Sequence, residues 1–335
     1  MAKKTEKFKT MIGGQALIEG IMMRGPEKDA IVVRGKDGLQ VSVTDRKLPK
    51  KRSILRWPLI RGVVNFFDSQ VVGVKAIMAS ADLAPEEYQE EPSKLDKWLE
   101  KKLGNKRFQS LLVGFSVFLG LLMSVGLFFL IPMTIGGLVA PYLENPYVDA
   151  LLLQNLFEGV LRIVILLAYM KLAAMAKDVK RMFAYHGAEH KTISCYEAGL
   201  PLTVENVRQQ SKHHPRCGTS FLIVVMVLAV LIFSAGSSLL LQFAPELVTL
   251  KETAKVLYNL IMIGFKLALL PVIVSITYEI NRWIGRHDNW FTKALAFPGL
   301  LTQRVSTYEP DDGMIEVAIE ALTAVLPEQE GADKW

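Results

Sequence analysis

Four stretches of this chain are long, nearly continuous apolar runs, and the segments between them are polar or periodically patterned. Phe108–Ile131 is uncharged, punctuated by glycine, and followed by Pro132. Asn155–Ala176 is interrupted by Glu158, Arg162 and Lys171, whereas Phe221–Phe243 is again uncharged. Val256–Ile280 carries Lys266 near its middle. A helix satisfies its own backbone in hydrocarbon, and about 20 apolar residues reach across it. The pattern predicts a mainly α, polytopic helical membrane protein with transmembrane helices at 108–131, 155–176, 221–243 and 256–280.

Residues 1–107 hold no such run. In GGQALIEGIMMRGP the closely spaced glycines suggest tight turns, with Glu19 and Arg24 as the charged members. Ala30–Arg34 and Leu39–Thr44 are rich in branched residues around Asp37-Gly38, which predicts a β-hairpin over 30–44. Over 60–81, Val63, Phe66, Phe67, Val71, Val74, Ile77 and Met78 recur at helical spacing with Arg61, Asp68 and Lys75 between them. That is an amphipathic helix, too polar to span, which would lie on the membrane or on the helix bundle. Residues 82–107 read as a charged connector. At the other end, 281–335 reads as an interfacial stretch containing Trp283 and Trp290, followed by a short helix over Ile315–Val325. Glu309, Asp311 and Asp312 mark that helix's start.

Charge sets an orientation. Lys and Arg number 22 in residues 1–107, seven in 177–220 and five in 281–335, against none in 132–154 and two in 244–255. Positive segments stay on the cytoplasmic side, so both termini and the 177–220 connector are expected there, in a multi-pass protein of the cell (inner) membrane. The formal net charge of +6 needs no nucleic acid to explain it. The expected partners are membrane lipids, with a membrane protein or a second copy of the chain as further candidates. Glu158, Arg162 and Lys266 would be costly in hydrocarbon unless they face protein. Either Glu158 and Arg162 pair with each other, or the stripe pairs with Lys266 or lines a polar cavity.

The chemistry-bearing residues gather in one place. Four of the five histidines and both cysteines fall between His186 and Cys217, in the connector between the second and third runs. His186 and His190 in HGAEH stand four residues apart, on one helical face, as two imidazoles binding one metal must. Glu189 lies on the same side, giving the HxxEH pattern in which the Glu serves as general base. His213, His214 and Cys217 bring a second half-site at two- and three-residue gaps. A thiolate among the ligands favours zinc or iron over magnesium. Four ligands (His186, His190, His214, Cys217) would close a structural tetrahedron; three would leave a position open for hydrolysis with Glu189 as base. Glu197 or Glu205 would serve as a replacement ligand, and Cys195 or Cys217 beside a histidine is also a candidate nucleophile.

The segments GGQALIEGIMMRGP, YHGAEHKTI, LTVEN, HPRCGTSF and TYEP…EVAI, in this order along nearly the whole chain, resemble the bacterial YqhQ-like DUF1385 family of membrane proteins. The resemblance implies a metal-dependent enzyme, with roles at His186, Glu189, His190, His214, Arg216 and Cys217. It selects His214 over His213, because His214 stands in HPRCGT. It supplies no substrate. The leading expectation is therefore a membrane protein with a divalent transition-metal site, zinc or iron, acting as a hydrolase on a lipid or membrane protein. The alternatives are a scaffold whose metal is a structural staple, and a small transporter or channel built on Glu158, Arg162 and Lys266.

Overall fold

The N-terminal region owes its shape to alternation. In the computed structural model, which describes residues 8–46, 53–85, 102, 104–142, 150–287, 289–329 and 331–334, four strands form an antiparallel meander. They are β1 (Gly13–Leu17), β2 (Gly20–Arg24), β3 (Lys28–Gly35) and β4 (Gly38–Asp45), in spatial order β1-β2-β3-β4. Successive side chains on a strand point to opposite faces. Ile21, Met23, Ala30 and Val32 accordingly enter one core, while Leu17, Met22 and Ile31 enter another. The expected hairpin is β3–β4, but its loop is Lys36-Asp37, with Gly35 paired to Gly38 and the positive φ confined to Gly38. The glycine-rich segment before it is corrected from turns alone to a strand pair, β1–β2, turning at Ile18-Glu19.

The chain divides into two units. The first comprises 1–88, 167–225 and 271–335. It contains the sheet, α1 (Ile60–Leu83), α5 (Lys177–Glu197), α6 (Val204–Arg208), α10 (Trp290–Ser306) and α11 (Asp312–Thr323). One sheet face packs on Ala184, Tyr185 and Ala188 of α5 and on Val317, Ala318 and Leu322 of α11. The other meets Val72, Ala76 and Ile77 of α1. At the start of α1, Gly62 has no room for a side chain: a Cβ there would lie 2.8 Å from Ser275 Cα. The stretch 281–306, expected to be merely interfacial, contains helix α10. Its start is set by a capping box between Asn289 and Thr292, and Pro298 in its interior is what hid it from a helix reading.

The second unit comprises 89–166 and 226–270. The run expected to stop before Pro132 does not stop. Helix α2 (Asn105–Val125) passes through a π-helical turn at Gly126–Leu130 into α3 (Ile131–Val139). Proline lacks an N–H and crowds the carbonyl four residues back, and a widened turn accommodates it. The carbonyl in question belongs to Phe128, and it accepts instead from Arg162 Nε at 2.8 Å. Arg162 and Glu158 lie on α4 (Ala150–Ala173), joined at 2.8 Å, and Lys266 of α9 (Lys255–Arg286) reaches the same Glu158 Oε2 at 2.8 Å. All three are buried, so both pairings anticipated for Glu158 occur together. Between them in the chain lie α7 (Gly218–Phe243) and α8 (Glu246–Thr253).

Among the described residues three helical stretches, Leu111–Tyr142, α7 and α9, are long and apolar enough to cross a membrane. A fourth is counted if α4 and α5 are taken as one span broken at residues 174–176. The connector expected at 82–107 lies mostly outside the described residues.

Candidate metal centre

Helix α5 carries HGAEH, and its neighbours are arranged by what that motif lacks in bulk. A Cβ at Gly187 would fall 2.0 Å from the carbonyl oxygen of Tyr308 and 3.6 Å from Pro310. Glycine there lets the C-terminal segment cross α5 beside His186, where Tyr308 N–H donates to Phe183 O at 2.9 Å. From the sheet side, Arg181 of α5 grips Glu19 with two hydrogen bonds, at 2.5 and 2.6 Å, and Tyr185 donates to the same carboxylate. Glu19 sits at positive φ in the β1–β2 turn, a strained position for a non-glycine residue, and these contacts hold it there.

His186, His190 and Cys217 come together with their ligand atoms all within 4.8 Å of one another. His186 Nδ1 donates to Ser306 O at 2.9 Å, and His190 Nδ1 donates to Lys212 O at 2.6 Å. Both rings therefore present Nε2 as the open nitrogen, and that of His186 lies 3.2 Å from Cys217 Sγ. Metal-binding imidazoles commonly have the other nitrogen tied to a carbonyl, which fixes tautomer and ring orientation. Cys217 is itself held by Thr219, whose N–H and hydroxyl lie 3.4 and 3.3 Å from the sulfur at the start of α7. Two oriented imidazoles and one thiol are a donor set that fits zinc or iron(II). Burial holds His190 below the usual histidine range, which keeps it in the neutral form a ligand needs.

The fourth expected ligand, His214, is not in that cluster, although its ring centroid lies 5.8 Å from that of His190. His214 Nε2 lies 3.3 Å from Glu197 Oε2, and Arg216 pairs with the other oxygen of the same carboxylate. The His214 main chain is clamped by Gln303, whose Oε1 accepts from His214 N at 2.8 Å and whose Nε2 donates to His214 O at 2.7 Å. Burial drives the His214 pKa down, only partly offset by Glu197. Burial pushes Glu197 up, but His214 and Arg216 outweigh it and leave its carboxyl below the ordinary range. Thr10 N–H also donates to Glu197 Oε1 at 2.8 Å, so this carboxylate is a junction of the N-terminal segment, α5 and the HPRC loop. His213 is partly buried beside it in sequence, and Cys195 is buried with its thiol against Pro201 O, away from a nucleophile's exposure.

Glu189 is buried, and its Oε1 accepts from Gly14 N–H at 2.9 Å. Its Oε2 has no hydrogen-bond partner among the described residues. Burial raises its pKa despite the nearby His186 and the Gly14 bond. A carboxyl with one anchored and one open oxygen, poised to hold a proton at higher pH than usual, has the properties of an acid–base group.

The three clustered side chains were among the four ligands the residue spacing suggested. Sequence reasoning missed the carbonyls of Ser306 and Lys212, because a carbonyl leaves no mark in residue type, and it missed Gln303, which lies in the helix that was not anticipated.

A family model described as "Protein of unknown function (DUF1385)" matches residues 57–328. The chain is 31% identical over 322 residues to "Uncharacterized protein YqhQ" of Bacillus subtilis (strain 168), an alignment covering 94% of this chain and 92% of that one. No solved structure matches.

Proposed function

The chain belongs to the DUF1385 family, and from that premise we propose that it is a multi-span membrane protein whose His186, His190 and Cys217 hold a divalent transition metal for hydrolysis. The observation that carries this reading is the three-membered donor set: His214 is engaged by Glu197, so three protein ligands leave one coordination position for water or substrate. Three-ligand sites of this kind are catalytic rather than structural. A zinc or iron ion bound there would activate water near neutral pH. The chain's own contribution is to hold both Nε2 atoms forward, keep the thiol in place through Thr219, and receive a proton at Glu189 Oε2. Zinc is the first choice, since a mixed nitrogen and sulfur set suits it.

Membrane residence is supported by side chains that face outward without partners. Leu111, Phe115, Phe118, Leu121 and Leu122 are all exposed along α2, an apolar surface that water would disfavour and lipid would accept. With lysine and arginine concentrated in the regions that build the centre, the metal site faces the cytoplasm, where lipid or a membrane-protein chain is the substrate class at hand.

The test joins metal analysis to turnover. Full-length protein purified without added metal should carry about one zinc or iron per chain, and Glu189→Gln should keep it while losing hydrolysis of ester, phosphodiester or peptide probes in proteoliposomes. Metal-free wild-type protein, or Glu189→Gln with undiminished turnover, would overturn the reading. The structural-staple alternative predicts retained metal with no turnover in either the wild type or Glu189→Gln.

A further inference from the structure

The second unit holds a cavity that the hydrolytic reading does not use. It measures about 380 Å³, and its lining includes Met133, Asn155, Glu158, Ser237, Met262 and Lys266. That volume falls within the range of small-molecule sites, roughly 300–1,000 Å³.

Among the described residues its charges do not cancel. Arg162 and Lys266 both pair with the single carboxylate of Glu158, so two cations meet one anion and one positive charge remains. Lys255, also at the cavity, adds another. The hydrogen bonds do not close either. Lys266 Nζ donates to Glu158 at 2.8 Å and to Asn155 Oδ1 at 3.4 Å, and an ammonium has three N–H groups to give. Asn155 Nδ2 and Ser237 Oγ are buried and have no partner among the described residues. Asn155 is 2% exposed and Ser237 0%, a degree of burial at which polar groups are ordinarily hydrogen-bonded. A cation finds no vacancy here, since the Lys266 ammonium already occupies the carboxylate. A neutral ligand would leave the excess charge unopposed in a low-dielectric setting.

We propose that this cavity binds the oxyanion of a phosphate-bearing ligand, set against Lys266, with its oxygens accepting from Asn155 Nδ2 and Ser237 Oγ. Met133 and Met262 provide an apolar wall for whatever the phosphate is attached to. The shared chemistry is a phosphate oxyanion, whose source is either the phosphodiester of a membrane lipid or free phosphate.

Calorimetric titration of the full-length protein in detergent distinguishes these sources. The probes are dioctanoyl phosphatidylglycerol, dioctanoylglycerol (the same tails without phosphate) and inorganic phosphate. Saturable binding of the phosphatidylglycerol but not of dioctanoylglycerol supports a lipid headgroup. Binding of inorganic phosphate with displacement of the lipid supports recognition of the free oxyanion. Asn155→Asp, nearly isosteric, places a second carboxylate beside Lys266 and should weaken either ligand by roughly tenfold or more, without lowering the thermal midpoint of the ligand-free protein. Ser237→Ala should weaken binding in the same direction with little effect on folding. Equal binding of dioctanoylglycerol, no binding of either phosphate probe, or undiminished binding by both variants would overturn the proposal.

Discussion

The backbone N–H of Gly14 donates to Glu189 Oε1 at 2.9 Å, joining residues 175 positions apart. The contact needs a bare backbone: a Cβ at Gly14 would lie 2.6 Å from Met22 O and 3.1 Å from Glu189 Cδ. Two segments far apart in the chain, β1 and the HGAEH turn of α5, thus meet at one carboxyl. Gly14 engages only one oxygen, and the other has no hydrogen-bond partner among the described residues.

The ligand set separates a three-donor site from a closed tetrahedron. His186→Ala, His190→Ala and Cys217→Ser should each lose stoichiometric metal, read by elemental analysis of purified protein. His214→Ala should keep it. Its cost falls on folding instead, about 1–3 kcal/mol, because Glu197 loses a buried partner. Metal loss in His214→Ala would make the site four-coordinate and favour the structural staple.

Glu197 should give the protein an acid-sensitive component of stability. Its folded pKa lies below the unfolded carboxylate value of about 4.3, so the stabilisation is fully present above that pH. It is lost as pH falls through the lower, folded value, because the unfolded chain binds the proton first. Glu197→Gln should lower the urea midpoint at pH 7 and flatten the decline that sets in as pH falls below the unfolded carboxylate value. An unchanged acid limb in the variant would rule the linkage out.

Gly187→Ala tests the crossing of the C-terminal segment over α5. The added methyl would meet the Tyr308 carbonyl at 2.0 Å, and that backbone is tied to Phe183 O, so it cannot shift without breaking the bond. A loss of about 1–3 kcal/mol is expected, together with weaker metal retention, since Ser306 O lies just before the displaced segment and orients His186.

The charges of the second unit should matter far more than those on the surface. Arg162→Ala removes the donor to the Phe128 carbonyl and one of the two cations on Glu158, which keeps Lys266, and leaving the buried carbonyl unsatisfied costs about 1–3 kcal/mol. Arg208→Ala breaks an exposed, solvent-screened pair with Asp312 and should leave stability nearly unchanged. Thermal midpoints of the two variants in the same detergent provide the comparison, and equal midpoints would contradict it.

Apolar periodicity and residue type determined much by themselves. The uncharged runs became α7 and the Leu111–Tyr142 stretch because an unbroken apolar segment has few structures other than a helix in which to hide its backbone. The four-residue spacing of His186 and His190 placed both on one face of α5 before any packing was known. The hairpin at β3–β4 followed from branched residues and a glycine. What the sequence could not decide was long-range. That Pro132 would be absorbed in a π-helical turn depended on Arg162 accepting the role of donor to Phe128 O. Whether His214 or Cys217 would join the imidazoles depended on Glu197, Arg216 and Gln303 competing for the HPRC loop. Residue spacing specifies which face of a helix a side chain occupies; only the packed chain supplies the carbonyls, counter-charges and bare glycine backbones that choose its partner.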